Sequence, residues 1–380
     1  MGQNFDTKAV HLSRKNNQSI DSKVTPIYQT SAFKFSDLED LENFYQGKKD
    51  YLYTRVGNPN TDELGSAVAQ LEGAPKGVAT SSGLSAILVG VLAVAKAGDH
   101  VLASTDIYGG TYQLLANELQ DFNIEVSFVD FSNPGEIEKH LKSNTKLIYS
   151  ESITNPLLRI EDMKAIVQLA KKNNLYTMID NTFATPYLCQ PYLDEVDLVV
   201  HSATKYLAGH SDVTAGVLVG HEELIDKAKA KVVNIGTNLS PFDAWLACRG
   251  IKTLSVRMER QVNNAQAVAD ALRKNDNVSK VYYPSSVSDK GNGAIVSIDI
   301  TGSCNVEKFF QSLSWINIIP TLAGLETTVS YPLATSHRAL PKEAQIELGI
   351  TEGLIRVSVG IEDTEDIIKA FEEAIEKSKL

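Results

Sequence analysis

Lys205 lies in HSATKYLAGHSDVTAG (201–216), just past an apolar run, with Ser202 and Thr204 before it and glycines at 209 and 216 after it. Most lysines of this chain fall on charged helical faces, where water and opposite charges surround them. An amine set in a small-residue turn at a strand end is instead placed to act as nucleophile or base. Asp180 ends the preceding strand, YTMID. Two strand ends of one sheet bring such an acid and such an amine to a single flat ligand. A third signal is TSSGLSA (80–86), where Ser82, Gly83 and Leu84 form a small-residue turn into a helix. That turn points backbone N–H groups outward, and the helix dipole adds positive potential for an anion. Ser202 and Thr204 add hydroxyl donors for the same anion, and Tyr108 in IYGGTY offers a ring face for stacking.

Taken singly, each residue has a plainer reading. Asp180 would be a helix cap, the Ser-Gly turn an ordinary helix start, Tyr108 packing, and Lys205 a solvated cation. Together, in this order and each at a strand end, they describe a ligand with one phosphate, one basic ring nitrogen and one aldehyde. Pyridoxal 5′-phosphate has all three. Its aldehyde forms a Schiff base with a lysine amine, and its ring takes up electrons while a carboxylate keeps the pyridine nitrogen protonated. Asp180 is the candidate carboxylate.

Such a constellation needs a sheet to hold it, and the periodicity supplies one. From about residue 61, helices alternate with strands: TDELGSAVAQLEG, then a strand leading into the buried helix of GVATSSGLSAILVGVLAVAKAG, HVLAST, GTYQLLANELQDF, IEVSFVD, EIEKHLKS, TKLIYSES, EDMKAIVQLAKKN, LYTMIDN and VDLVVHSATK. The spacing predicts an α/β domain over residues 61–245, a mostly parallel sheet covered by helices on both faces. Ligands of such sheets bind beyond the carboxyl ends of the strands. Residues 1–60 are polar with isolated aromatics, and read as an arm that must lie on something else to be ordered. After about residue 240 the register changes. A long helical stretch over 240–275, with Gly250 as a break, leads to the strand GAIVSIDI, the helix NVEKFFQSLS, the strand LIRVSVGIE and the closing helix EDIIKAFEEAIEKS. Residues 246–380 thus predict a smaller α+β domain.

Composition fits an ordinary globular chain, 43% hydrophobic and 22% charged over 380 residues. A net charge of −11 and a pI near 5.2 argue against a general nucleic-acid binder. The apolar stretch AILVGVLAVAKAG (86–98) breaks at Lys96 and is too short to span a bilayer. MGQNFDTKAVHLSRKNNQS lacks the apolar core of a secretory signal. Cys189, Cys248 and Cys304 lie far apart, with no metal-ligand spacing, and read as reduced thiols of a cytoplasmic protein.

The motifs TPIYQTSAF, YTRVGNP, SSGLSAI, YGGTY, TNPLLRI, DNTFATP, HSATKYLAGHSDV, RGIKTL and RVSVGIED span nearly the whole chain. In them it resembles the trans-sulfuration family of fold-type I pyridoxal-phosphate enzymes. The resemblance implies that Lys205 carries the cofactor and then shuttles protons, that Asp180 pairs with the pyridine nitrogen, and that Tyr108 stacks on the ring and helps activate the substrate amine. It implies that Ser82, Gly83, Leu84, Ser202 and Thr204 hold the phosphate, joined by Tyr53 and Arg55 of a neighbouring subunit. The active unit is then a dimer, commonly paired into a tetramer. Arg356, with Asn155 and Thr321, would bind the substrate carboxylate. Asn155 precedes Pro156, which leaves the isomer of that peptide bond open.

The implied activity is elimination on sulfur amino acids, with cystathionine γ-elimination as first expectation. Cystathionine β-elimination, methionine γ-elimination and γ-synthesis from an acylated homoserine follow in that order, and a non-catalytic relative comes last. Cysteine or homocysteine as substrates would add hydrogen sulfide to the products. Three positions depart from the γ-lyase pattern. Leu52 and Pro320 stand where glutamates often occur, which removes partners for the distal amino group of cystathionine; Gln113 replaces a family arginine. Gly110 stands where methionine γ-lyases typically carry cysteine, which argues against the methionine enzyme.

Overall fold

The computed structural model describes residues 3–12, 22–338 and 342–380. Seven strands build the larger sheet: β1 (Lys76–Thr80), β2 (His100–Ser104), β3 (Glu125–Val129), β4 (Thr145–Glu151), β5 (Tyr176–Asp180), β6 (Leu198–His201) and β7 (Gly216–Gly220). Their order is β1-β7-β6-β5-β4-β2-β3, and all but β7 run in one direction. The sheet is therefore mixed, through one reversed strand, second from the edge, that the periodicity does not announce. GVLVG is short and glycine-bounded, yet it is buried throughout and pairs with both β1 and β6. The helix after it, Glu222–Ile235, likewise has no counterpart in the sequence reading.

Helices cover both faces, and two apolar clusters separate them from the sheet. Helix Pro59–Glu72 begins where expected for its residues: the Asn58 side chain accepts the Asn60 N–H, proline fills the first turn, and Gly73 ends it at φ 77°. It lies unusually close to β1. A Cβ on Gly65 would stand 2.6 Å from the Gly77 carbonyl oxygen, and one on Gly77 2.3 Å from that of Gly65. Gly65→Ala is expected to destabilise the fold by about 1–3 kcal/mol, as overpacking between two rigid backbones does. Its denaturant midpoint relative to the unchanged chain checks this.

The second sheet contains β8 (Lys280–Tyr282), β9 (Ile295–Asp299), β10 (Asn317–Ile318), β11 (Thr328–Ser330) and β12 (Leu354–Ser358), in the order β10-β11-β12-β9-β8. Its core packs against helices Leu254–Leu272 and Thr364–Ser378. The long helical stretch breaks at Lys252–Thr253, two residues beyond Gly250. Gly250 itself stays helical, and its carbonyl accepts from Thr253 and from Arg257.

The N-terminal segment is less irregular than its composition suggests. Helix Phe5–Val10 buries Ala9 and sets Phe5 edge-on to Tyr187. Helix Leu38–Tyr45 buries none of its residues. Residues 25–28 are fastened to helix Pro59–Glu72 by side-chain bonds: Asn60 donates to Pro26 O and accepts the Tyr28 N–H, while Asn58 donates to Tyr28 O.

Candidate active site

The carboxyl ends of β1, β2, β4, β5 and β6 border a cavity of about 190 Å³, which β12 and the segment before β11 close from the side of the second sheet. From β1 come Ser82, Gly83 and Leu84. Ser82 caps helix Gly83–Val94 by accepting the Ser85 N–H at 3.1 Å, and the Ala86 N–H turns back to Ser82 O. The N–H groups of Gly83 and Leu84 precede the first intrahelical bond, which is where an anion is held. A Cβ on Gly83 would stand 2.8 Å from the Ser202 side chain, so glycine lets this turn close on the end of β6.

Beyond β6, Ser202, Thr204 and Lys205 follow within one tight turn. Thr204 Oγ1 both donates to Ala215 O and accepts its N–H, which locks the turn to the start of β7. The Lys205 amine donates to Thr321 Oγ1 at 2.6 Å, and no carboxylate among the described residues pairs with it. Burial first, and then the positive charge of Arg356, lowers its pKa to about 8. Asp180, at the end of β5, accepts the Thr182 N–H at 2.9 Å. Its enclosure raises its pKa, while the bonds from Thr182 and the charge of His201 oppose that rise.

Arg356 on β12 is 2% exposed. Its Nη1 donates to Asn155 Oδ1 at 3.0 Å and its Nη2 to Thr321 O at 3.4 Å; its Nε has no partner among the described residues. Burial lowers even this guanidinium to about 10. Asn155 is held in turn by His337, whose Nε2 meets its carbonyl oxygen at 3.0 Å, and the Asn155–Pro156 bond is cis. Tyr108 precedes helix Gly109–Gln113 and borders the cavity, as does Pro320.

The cavity therefore collects Ser82, Gly83, Leu84, Tyr108, Asn155, Asp180, Ser202, Thr204, Lys205, Pro320, Thr321 and Arg356 from the residues named by sequence. It does not collect Leu52, Tyr53 or Arg55. Arg55 stacks on Tyr53 and donates to Val233 O at 3.0 Å, beside a separate small cavity bordered by helix Glu222–Ile235, β1 and the start of helix Pro59–Glu72. Eight cavity residues went unnamed in the sequence reading, the polar ones beside Asp180 being Glu151 and Thr182. A signal for Glu151 was present, since it ends a strand three residues before the TNPLLRI motif. Behind the site, Glu72 Oε1 accepts from His201 Nε2 at 2.7 Å and from Asn181 Nδ2 at 2.8 Å. That buried carboxylate joins the residues flanking Asp180 and Ser202.

A buried amine, an enclosed acid and a helix N-terminus around one cavity, at the strand ends of this sheet, define a fold-type I pyridoxal-phosphate enzyme. The chain belongs to the family of Cys/Met metabolism PLP-dependent enzymes, whose pattern it matches over residues 6–376. It is 41% identical to a cystathionine beta-lyase of Lactococcus lactis, covering 98% of each chain. It is 39% identical to a cystathionine gamma-lyase of Bacillus subtilis, over 97% of this chain and 98% of the other. Among solved structures, a Campylobacter jejuni chain assigned as an O-acetylhomoserine (thiol)-lyase superposes with a TM-score of 0.93 at 30% identity, over 98% of this chain and 100% of that one; it carries N'-pyridoxyl-lysine-5'-monophosphate. The protein is a pyridoxal-phosphate-dependent carbon–sulfur lyase of sulfur amino acids. Among the described residues no helix is long and apolar enough to cross a membrane.

Proposed function

We propose that this enzyme eliminates a thiol from cystathionine, cleaving at Cγ to give cysteine, 2-oxobutanoate and ammonia. The observation that carries the reading is the pairing of a depressed, carboxylate-free lysine with a buried arginine across one cavity. The residues present suit the cofactor. The N–H groups of Gly83 and Leu84, with the hydroxyls of Ser82, Ser202 and Thr204, would take its phosphate. Asp180 would take its ring nitrogen, Tyr108 its ring face and Lys205 its aldehyde. When bound, pyridoxal phosphate supplies an electron sink for the pair left at the substrate Cα.

The side chains do the rest. Arg356 receives the substrate carboxylate in the fork between Asn155 and Thr321, which fixes the Cα–H direction. Lys205 Nζ, with a pKa near 8, is a free base for an appreciable fraction of time near neutral pH, and takes the proton from Cα. For γ-elimination it works again at Cβ and returns a proton to the departing thiolate. Thr321, hydrogen-bonded to Lys205 and one residue from Pro320, holds the amine on that side of the cavity. Tyr53 and Arg55, which lie outside the cavity of their own chain, would reach the phosphate of a neighbouring subunit, as the exposed helix Leu38–Tyr45 of the same segment also favours. We further propose a cytoplasmic enzyme built from dimers into a tetramer, with residues 1–60 as the intersubunit arm and 61–245 and 246–380 as its two domains.

A second reading, cleavage at Cβ, is favoured by the 41% identity to a cystathionine beta-lyase. Product analysis with cystathionine separates the two. Cysteine with 2-oxobutanoate is the expected result; homocysteine with pyruvate selects the β-lyase. Turnover of an acylated homoserine with cysteine, and neither elimination, would discard both.

A further inference from the structure

Glu151 ends β4 directly beside Asp180, its Cα partner in the parallel β4–β5 ladder. It is 5% exposed and borders the cavity. Its Oε1 accepts the Tyr108 backbone N–H at 2.7 Å, at the point where the chain turns into helix Gly109–Gln113. Two neighbouring carboxyl groups in an enclosed site do not both ionise freely, and their partners decide which carries the charge. Asp180 is bonded by both the N–H and the hydroxyl of Thr182, and His201 on β6 favours its anion. Glu151 has, among the described residues, the single Tyr108 N–H. Facing it are Asp180 from β5, Asp106 from the segment after β2 and Glu161 from the segment after β4. Arg159 sits 3.6 Å from Asp106 and Ser104 donates to Glu161, so both acids have partners of their own. Tyr149, two residues back on β4, is buried beside the same pair. Burial and these negative neighbours push the Glu151 carboxyl well above the usual range.

We propose that Glu151 is a positioning residue that stays a neutral acid, fixes Tyr108 through its carbonyl oxygen, and leaves Asp180 as the one negative charge available to the cofactor's ring nitrogen. This rests on the assignment of Asp180 and Tyr108 made above. The neutral form is what makes the arrangement work. A second anion next to Asp180 would raise the proton affinity of both acids and return Asp180 toward its uncharged state.

The test compares the holoenzyme with Glu151→Gln and Glu151→Leu. The glutamine amide is neutral and still offers an oxygen to Tyr108. Glu151→Gln is therefore expected to keep kcat/KM and the cofactor dissociation constant within about twofold, with an unchanged pH dependence of the bound-cofactor absorbance. Glu151→Leu leaves the Tyr108 N–H without an acceptor, and is expected to weaken cofactor binding about tenfold and raise KM. The infrared difference between the unsubstituted protein and Glu151→Gln at neutral pH is expected to show the C=O stretch of a protonated carboxyl. A Glu151→Gln variant as impaired as Glu151→Leu, or a carboxylate band in place of the protonated one, overturns the proposal. The infrared comparison is run with and without pyridoxal phosphate. A chain that binds no cofactor would thus sink the functional assignment while still answering for Glu151.

Discussion

Lys205→Ala is expected to reduce elimination by about a thousandfold or more and to abolish the visible absorption of lysine-bound pyridoxal phosphate. The amine donates to the Thr321 hydroxyl within the cavity, and no carboxylate among the described residues pairs with it. Turnover with purified protein and its absorbance spectrum are the measurements; a variant that keeps both would remove Lys205 from the chemistry. The same residue has a signature in the cofactor-free chain. Its folded pKa, about 8, lies below the ordinary lysine value of 10.5, so between these pH values the folded state binds fewer protons than the unfolded one. Stability should therefore rise with pH through that window, and the cost of charging the buried amine is fully present below about pH 8. Lys205→Met lacks the group. The stability difference between the two chains should close or reverse in favour of the lysine chain as pH climbs from 8 toward 10, and a flat difference would contradict the burial of this amine.

Arg356→Lys is expected to lower kcat/KM by about 10²–10³-fold while the cofactor absorbance stays. A buried guanidinium with two amide-type acceptors, and with neither an Nε partner nor an acid among the described residues, is a cation awaiting an anion. Lysine keeps the charge but not the fork, so it cannot meet Asn155, Thr321 and a carboxylate together. The loss should fall mainly on KM. Unchanged kinetics would mean that the substrate carboxylate binds elsewhere.

The sequence disclosed the parts of this molecule governed by short-range pattern. Alternating strands and helices, the small-residue turn at Ser82–Leu84, and a lysine following an apolar strand are all local signals, and the positions of Asp180 and Lys205 at strand ends followed from them. What stayed hidden depends on contacts distant in the chain. Strand β7 is five residues with glycine at both ends, and only its two partners make it a strand. Glu151 gains its meaning from Asp180, 29 positions away and adjacent in space. Arg55 shows the opposite case: its motif was legible, but within its own chain it is occupied by Val233 and Tyr53, away from the cavity.

The reversed strand has a consequence for how the chain is made. Strand β1 carries the Ser82 turn, yet among the described residues its ladder partner is β7 alone, so this edge of the sheet cannot assemble until residue 220 has left the ribosome. Until then helix Gly83–Val94 is tethered to an unpaired strand, and a nascent or truncated chain ending before Gly216 exposes apolar β1 surface as a site for misassociation. Completion of the Ser82 side of the cavity thus waits on five residues that contribute no side chain to it.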